Sequence, residues 1–230
     1  LECEIIFQHG WAFDKRCWAE WMKNAQAGLK MSVLDRGYFG QPESANFSSD
    51  KSRKILISHS FGLFILPDHL LKKADMLVSI SGFREFHTTG REGKFSKRLV
   101  NLMLKRFGSG SFDVTRDFRS MCSAESDEIS ATEDGIIKLA EDLERLSNSA
   151  LDVEHLKKIP YVLLVQGTDD RIVWPERAED LNASIPGSRL IMVDGAGHGL
   201  PFTHYEKCME IVFDHLEMQK KGFVPVCRSD

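Results

Sequence analysis

The sequence contains no run of apolar residues approaching the roughly 18 that a membrane-spanning helix needs, and no stretch that reads as a signal peptide. It contains no C-x-x-C, and its five cysteines (Cys3, Cys17, Cys122, Cys208, Cys227) are odd in number and scattered. That spacing excludes a disulfide framework and a zinc site, so the expected compartment is a reducing cytoplasm. Excess charge is small: 30 basic against 34 acidic residues leave −4, with no global pull toward nucleic acid or a membrane surface. There is no internal repeat and no low-complexity tract. What remains is an ordinary globular composition over 230 residues, enough for one large core. No metal or organic cofactor is implied, and a monomer is expected. The chain starts with Leu1, directly ahead of a strand-like run, so an initiator methionine and a few residues are expected to precede it.

Six segments have the aliphatic, β-branched character of buried strands: residues 4–8, 31–34, 54–58, 76–80, 161–165 and 189–193. Residues 14–22 read as a helix, with Cys17, Trp18 and Trp21 on one face. Residues 63–71 read as another, in which Pro67 marks a kink or a first turn. Residues 41–53 are polar and read as loop. The early alternation of strand and helix predicts an α/β fold with a parallel sheet built from right-handed crossovers. The rhythm breaks over residues 83–156, where helical patterns such as 95–104 and 135–146 occur without a convincing strand. The expected organisation is a core of residues 1–82 and 157–230, closed by a helix over 203–220, with a helical insertion at 83–156. A long insertion of this kind reads as a lid or as a second helical packing layer.

Three strand ends carry polar chemistry. Residues 55–57 are a short aliphatic run that ends abruptly in Ser58-His59-Ser60-Phe61-Gly62, followed at once by the apolar 63–71. This is the pattern of a sharp strand-to-helix turn with Ser60 at its apex, as in the nucleophile elbow G-x-S-x-G, with Ser58 in place of the first glycine. Gln166-Gly167-Thr168-Asp169-Asp170 follows the fifth strand, and Gly195-Ala196-Gly197-His198-Gly199 follows the sixth. A serine hydroxyl needs an imidazole to take its proton, and the imidazole needs a carboxylate to fix its tautomer. The order serine, acid, histidine is that of α/β-hydrolases and not of chymotrypsin or subtilisin. Either aspartate satisfies the order, and one of them could instead cap the segment beginning at Pro175. His9-Gly10-Trp11 ends the first strand, where an oxyanion needs amide donors. In this architecture they come from the residue after the nucleophile, Phe61, and from an early strand-end loop, here Trp11.

These motifs resemble the α/β-hydrolase superfamily, and more narrowly the pimeloyl-[acyl-carrier-protein] methyl ester esterases of biotin synthesis. The resemblance rests on His9-Gly10-Trp11, which resembles that group's H-G-W-G segment, on Leu151-Asp152-Val153, and on Gly167, Asp170 and Val173 in a G-x-x-D-x-x-V pattern. It also includes His198, Pro201, Phe202 and His204 near the carboxyl end. It selects Asp170 over Asp169 as the acid. It covers both ends of the chain, and the insertion only in size and helical character. Two features depart from the group: its elbow reads G-W-S-L-G-G, and the strands ahead of the HG strand in full-length members are absent, so a core with reduced N-terminal strands is expected.

The resemblance implies a serine carboxylesterase with Ser60, His198 and Asp170 as its triad and Trp11 and Phe61 as its oxyanion donors. The implied partner is an acyl carrier protein bearing a methyl-ester acyl chain. An acidic carrier wants a basic landing surface, and the insertion is basic first and acidic after, which marks Arg98, Lys105, Arg106, Arg116 and Arg119 as carrier-binding. The same charges could pair with the acidic half. Phe83, Phe86, Phe95, Leu99, Leu102 and Met103 could line an acyl channel or pack the insertion. A general small-ester or lipid hydrolase, an acyltransferase and a non-catalytic binding protein on the same fold are the alternatives. No role follows for His59.

Overall fold

A computed structural model describes residues 3–25, 28–107, 111–124 and 130–220. Cys227 and residues 125–129 of the acidic stretch lie outside them. All six expected strands form: β1 (Cys3–Gln8), β2 (Leu29–Leu34), β3 (Arg53–His59), β4 (Met76–Ile80), β5 (Tyr161–Gly167) and β6 (Arg189–Val193). They make one sheet in the order β2-β1-β3-β4-β5-β6, and every pairing is parallel. The chain steps outward from β1 to β2, then crosses to the other side of β1 to begin β3. The strand order therefore reverses between β1 and β3, and the crevice outside their carboxyl ends is where open α/β sheets bind ligands.

The helices are α1 (Ala19–Lys23), α2 (Gly62–Ile65), α3 (Asp68–Leu71), α4 (Gly90–Phe107), α5 (Ser111–Met121), α6 (Glu133–Asn148), α7 (Pro175–Ser184), α8 (Leu200–Thr203) and α9 (Tyr205–Lys220). Side chains alternate across the strands, so Ile5, Phe7, Ile55 and Ile57 face one layer while Ile6 and Leu56 face the other. The first layer holds Trp18 and Trp21, whose rings lie 4.9 and 5.6 Å from that of Phe7, together with Val212 and Leu216 of α9. The second holds Leu63, Leu70 and Leu181 of α2, α3 and α7. Each fully buried aliphatic or Phe side chain contributes about 1.5–3 kcal/mol. A third cluster, above the carboxyl edge of the sheet, joins Trp11, Phe13 and Phe61 to Val100, Phe118 and Leu139 of α4, α5 and α6.

Three expected helices are broken. Residues 14–22 form a 3-10 turn (Lys15–Trp18) before α1, with the Asp14 carboxylate capping the Arg16 amide. Residues 63–71 divide at Leu66-Pro67, where the proline lacks an N–H and forces Leu66 into an extended conformation, ψ 129°. The carboxyl-terminal helix is preceded by α8, with His204 between them. The β2–β3 crossover contains no helix. Buried Glu4 tethers it instead, accepting from the Ser48 and Ser49 amides at 2.8 and 2.9 Å. Between β4 and β5 the described residues hold α4, α5 and α6, and no strand. Among the described residues no helix is long and apolar enough to cross a membrane.

Candidate active site

Ser60 follows β3 directly at φ 54°, a left-handed conformation that costs a serine about 1–3 kcal/mol. The strain is held from both sides: the Ser60 amide donates to Ile80 O at 2.8 Å and the Leu63 amide donates to Ser60 O at 3.3 Å. Gly62 opens α2 because a Cβ there would lie 2.7 Å from His9 O and 2.9 Å from Gln8 O. Without that atom the helix start reaches β1. The first small position of the elbow is filled by Ser58, wholly buried within β3.

His198 comes from the loop after β6 and meets Ser60 across the sheet edge. Its Nε2 accepts the Ser60 hydroxyl at 3.0 Å, and its Nδ1–H donates to Asp170 Oδ2 at 2.8 Å. The tautomer follows from the partner, because a carboxylate only accepts. Asp170 is fixed by three more donors: the Ile172 and Val173 amides at 2.9 and 2.8 Å and Gln166 Nε2 at 3.0 Å. Burial pushes its carboxyl up, but the electrostatic pull of the adjacent His198, its hydrogen bond and the two amides outweigh burial and hold the group below the usual carboxylate range. Asp169, its neighbour, faces solvent. Ser60, Asp170 and His198 are 5, 2 and 3 % exposed, so their mutual interactions operate in a medium less polarisable than water.

Two residues at this centre carry no recognised sequence signal. Gln166, the penultimate residue of β5, is bound both to Asp170 and to Val173 O, the latter at 3.0 Å. His59, beside Ser60, donates from Nε2 to the backbone carbonyl of His198 at 2.9 Å, with ring centroids 5.0 Å apart. Burial first, then the adjacent His198, push the His59 imidazole down to about 3, so it is neutral at physiological pH. Its Nδ1 has no hydrogen-bond partner among the described residues.

After β1 the chain makes a tight turn, with the Phe13 amide 3.4 Å from Gly10 O. His9 fixes its start: Nε2 accepts the Arg36 amide at 2.9 Å, which leaves the Nδ1–H to donate to Gly10 O at 2.8 Å. Trp11 and Ala12 are the central residues of the turn. The Trp11 ring is buried, and its indole N–H donates to Leu139 O of α6 at 2.8 Å. The Trp11 and Phe61 amides donate to no backbone carbonyl among the described residues. Phe61 caps the start of α2.

Beside this centre lies a cavity of about 430 Å³ lined by Phe95, Leu99 and Met103 of α4, Phe118 of α5, and Ile172 and Trp174 from the loop after Asp170. Phe118 joins it to the centre, its ring 6.3 Å from that of His198. Of the six apolar residues expected in a channel or in packing, Phe86, Phe95, Leu99 and Met103 line this cavity, Phe83 is wholly buried, and Leu102 lies exposed on the outer side of α4. Among the described residues no group of three or more His, Cys, Asp or Glu side chains is placed to hold a metal ion.

The five basic residues expected on a carrier-binding surface divide. Arg98 and Lys105 face solvent on α4 beside Lys94 and Lys97, lining a second, open depression. Arg106 pairs with Asp117 at 3.0 Å and Arg116 with Asp113 at 2.7 Å, so these charges are matched inside the basic half. The acidic half turns elsewhere: Asp142 of α6 binds the Arg36 guanidinium at 2.8 and 3.1 Å and the Tyr38 hydroxyl at 2.7 Å. Arg119 must be reassigned. It is 6 % exposed, because α5 turns it inward with Thr115, Phe118 and Cys122, and its Nε donates to Ala12 O at 2.7 Å.

The parallel sheet, the strained serine turn after β3 and the acid and histidine after β5 and β6 define the α/β-hydrolase fold, and solved structures agree. An esterase from Exiguobacterium antarcticum superposes with a TM-score of 0.74 at 20 % identity, over 94 % of this chain and 92 % of its own. A hydrolase from Oleispira antarctica gives 0.71 at 18 % over 94 % and 92 %, and an epoxide hydrolase from Bacillus megaterium 0.70 at 13 % over 94 % of each. Residues 142–219, spanning β5, β6 and the loops that carry Asp170 and His198, match the TAP-like protein family model. No functionally curated protein matches the sequence.

Proposed function

We propose that this protein is a serine carboxylesterase. The observation that carries the reading is the continuous hydrogen-bonded path Ser60–His198–Asp170, buried at the carboxyl edge of the sheet. In the first half-reaction His198 Nε2 takes the hydroxyl proton as Ser60 Oγ attacks the ester carbonyl. The imidazolium formed is stabilised by Asp170, and the Trp11 and Phe61 amides receive the oxyanion. His198 then returns the proton to the leaving alkoxide, which departs as the alcohol and leaves an acyl-serine. In the second half-reaction His198 deprotonates a water that attacks the acyl carbon, and the free acid leaves as Ser60 regains its proton.

For the substrate, we propose the methyl ester of pimeloyl-acyl carrier protein. The apolar cavity beside His198 suits an aliphatic chain, and Arg98 and Lys105, with Lys94 and Lys97, offer a basic face to an acidic carrier. Arg119 has no part in that face. A general small-ester hydrolase is the competing reading, and the large apolar share of the cavity lining favours it equally. The test is hydrolysis of methyl pimeloyl-carrier protein beside a short p-nitrophenyl ester, by wild type and Ser60→Ala. Strong preference for the carrier substrate, with both activities lost in the variant, supports the reading. Cleavage of the small ester alone discards the substrate and keeps the esterase.

A further inference from the structure

The residue reassigned above has a position that a packing residue does not explain. Ala12 sits at φ 59°, in the left-handed region, at a place in the Gly10–Phe13 turn that usually falls to glycine. For alanine that conformation is strained, so something outside the turn must hold it. Arg119 Nε of α5 donates to Ala12 O at 2.7 Å, a buried and charge-assisted hydrogen bond. The guanidinium is itself immobilised, with Cζ 4.2 Å above the Phe39 ring and Nη2 4.0 Å from Asp14 Oδ2.

The rest of α5 addresses the same centre. Phe118 packs its ring 4.9 Å from that of Trp11 and 6.3 Å from that of His198. Just past the helix, Cys122 O lies so close to Gly199, the neighbour of His198, that a Cβ there would meet it at 2.1 Å. One short helix of the insertion therefore touches both the turn that carries the oxyanion donor and the loop that carries the base.

We propose that Arg119 is a positioning residue for the oxyanion hole. By holding Ala12 O it fixes the strained turn in which the Trp11 amide faces the reacting carbonyl, so the helical insertion completes the catalytic centre and does not merely cover it. This rests on the esterase reading, with Trp11 as an oxyanion donor. Losing one oxyanion donor costs about 10²–10³ in kcat, and a misaimed one costs part of that.

The test uses Arg119→Lys, which keeps the charge and most of the volume but not the Nε geometry. Turnover of a p-nitrophenyl ester and inhibition by a trifluoromethyl ketone, which forms a tetrahedral adduct on the serine, are measured together. The expected result is a 10- to 100-fold fall in kcat, with KM within about twofold of wild type and inhibitor affinity falling in step with kcat/KM. Ala12→Gly, which makes positive φ free of strain, should recover part of that loss in the double variant. A general loss of packing would lower the melting temperature without linking inhibitor affinity to kcat/KM. Unchanged kcat in Arg119→Lys, inhibitor affinity that does not follow kcat/KM, or no recovery on adding Ala12→Gly would overturn the proposal. Inactive wild type, or activity retained by Ser60→Ala, would instead remove the esterase reading beneath it.

Discussion

Replacing His59 by glutamine should remove that residue's share of the stability wild type loses between neutral pH and pH 5. The His59 imidazole is wholly buried against Phe13, Phe202 and His198, and burial pushes its pKa from the ordinary 6.5 down to about 3. In the unfolded chain it binds a proton near 6.5, so between about 3 and 6.5 the unfolded state holds more protons than the folded one. Stability is then fully present above 6.5 and is lost as pH falls toward the folded value. At 1.36 kcal/mol per pH unit, the loss at pH 5 is about 2 kcal/mol relative to pH 7.5. For a domain of this size that corresponds to about 4–8 °C in melting temperature. Glutamine does not titrate and retains an N–H donor for the carbonyl of His198. Urea denaturation of wild type and His59→Gln at pH 7.5 and 5.0 isolates the difference, because His87, pushed down to about 4 by burial, contributes equally to both proteins. The reasoning is refuted if the two proteins lose the same stability between these pH values.

Gly62→Ala should destabilise the fold by about 1–3 kcal/mol and lower kcat/KM, since the added Cβ meets the His9 and Gln8 carbonyls at 2.7 and 2.9 Å; urea denaturation with ester kinetics checks both. Asp170→Asn should lower kcat by about 10⁴ with the fold intact, because an amide facing His198 Nδ1 favours the wrong tautomer; circular dichroism beside kinetics separates the two effects. Tyr38→Phe should cost about 1.5–3 kcal/mol, since its buried hydroxyl donates to the Asp142 carboxylate, and thermal unfolding reads the loss directly.

What was legible in the sequence is what local pattern encodes. The six strands follow from aliphatic runs, Ser60 from the abrupt end of one of them, and His198 from its glycine-flanked loop. Asp170 is selected over Asp169 only by the resemblance to a G-x-x-D-x-x-V pattern, and the structure buries the first and exposes the second. His59 was opaque because its partner, the His198 carbonyl, lies 139 residues away, and Gln166 because its bonds to Asp170 and Val173 depend on how the loop after β5 folds back. Arg119 was misread for a physical reason: a run of basic residues ordinarily marks a solvated face. A signal against that reading was present, since Thr115, Phe118, Arg119 and Cys122 recur at i, i+3, i+4 and i+7, the spacing of a buried helical stripe. What the pattern does not contain is the Ala12 carbonyl, 107 residues away in the chain, that gives a buried guanidinium its partner.

The most direct test of the central claim is covalent labelling by a fluorophosphonate, read by intact mass and peptide mapping. The account predicts one adduct, on Ser60, absent from Ser60→Ala and formed far more slowly by His198→Ala. An adduct on another residue, or none under conditions where the folded protein is intact, would contradict it.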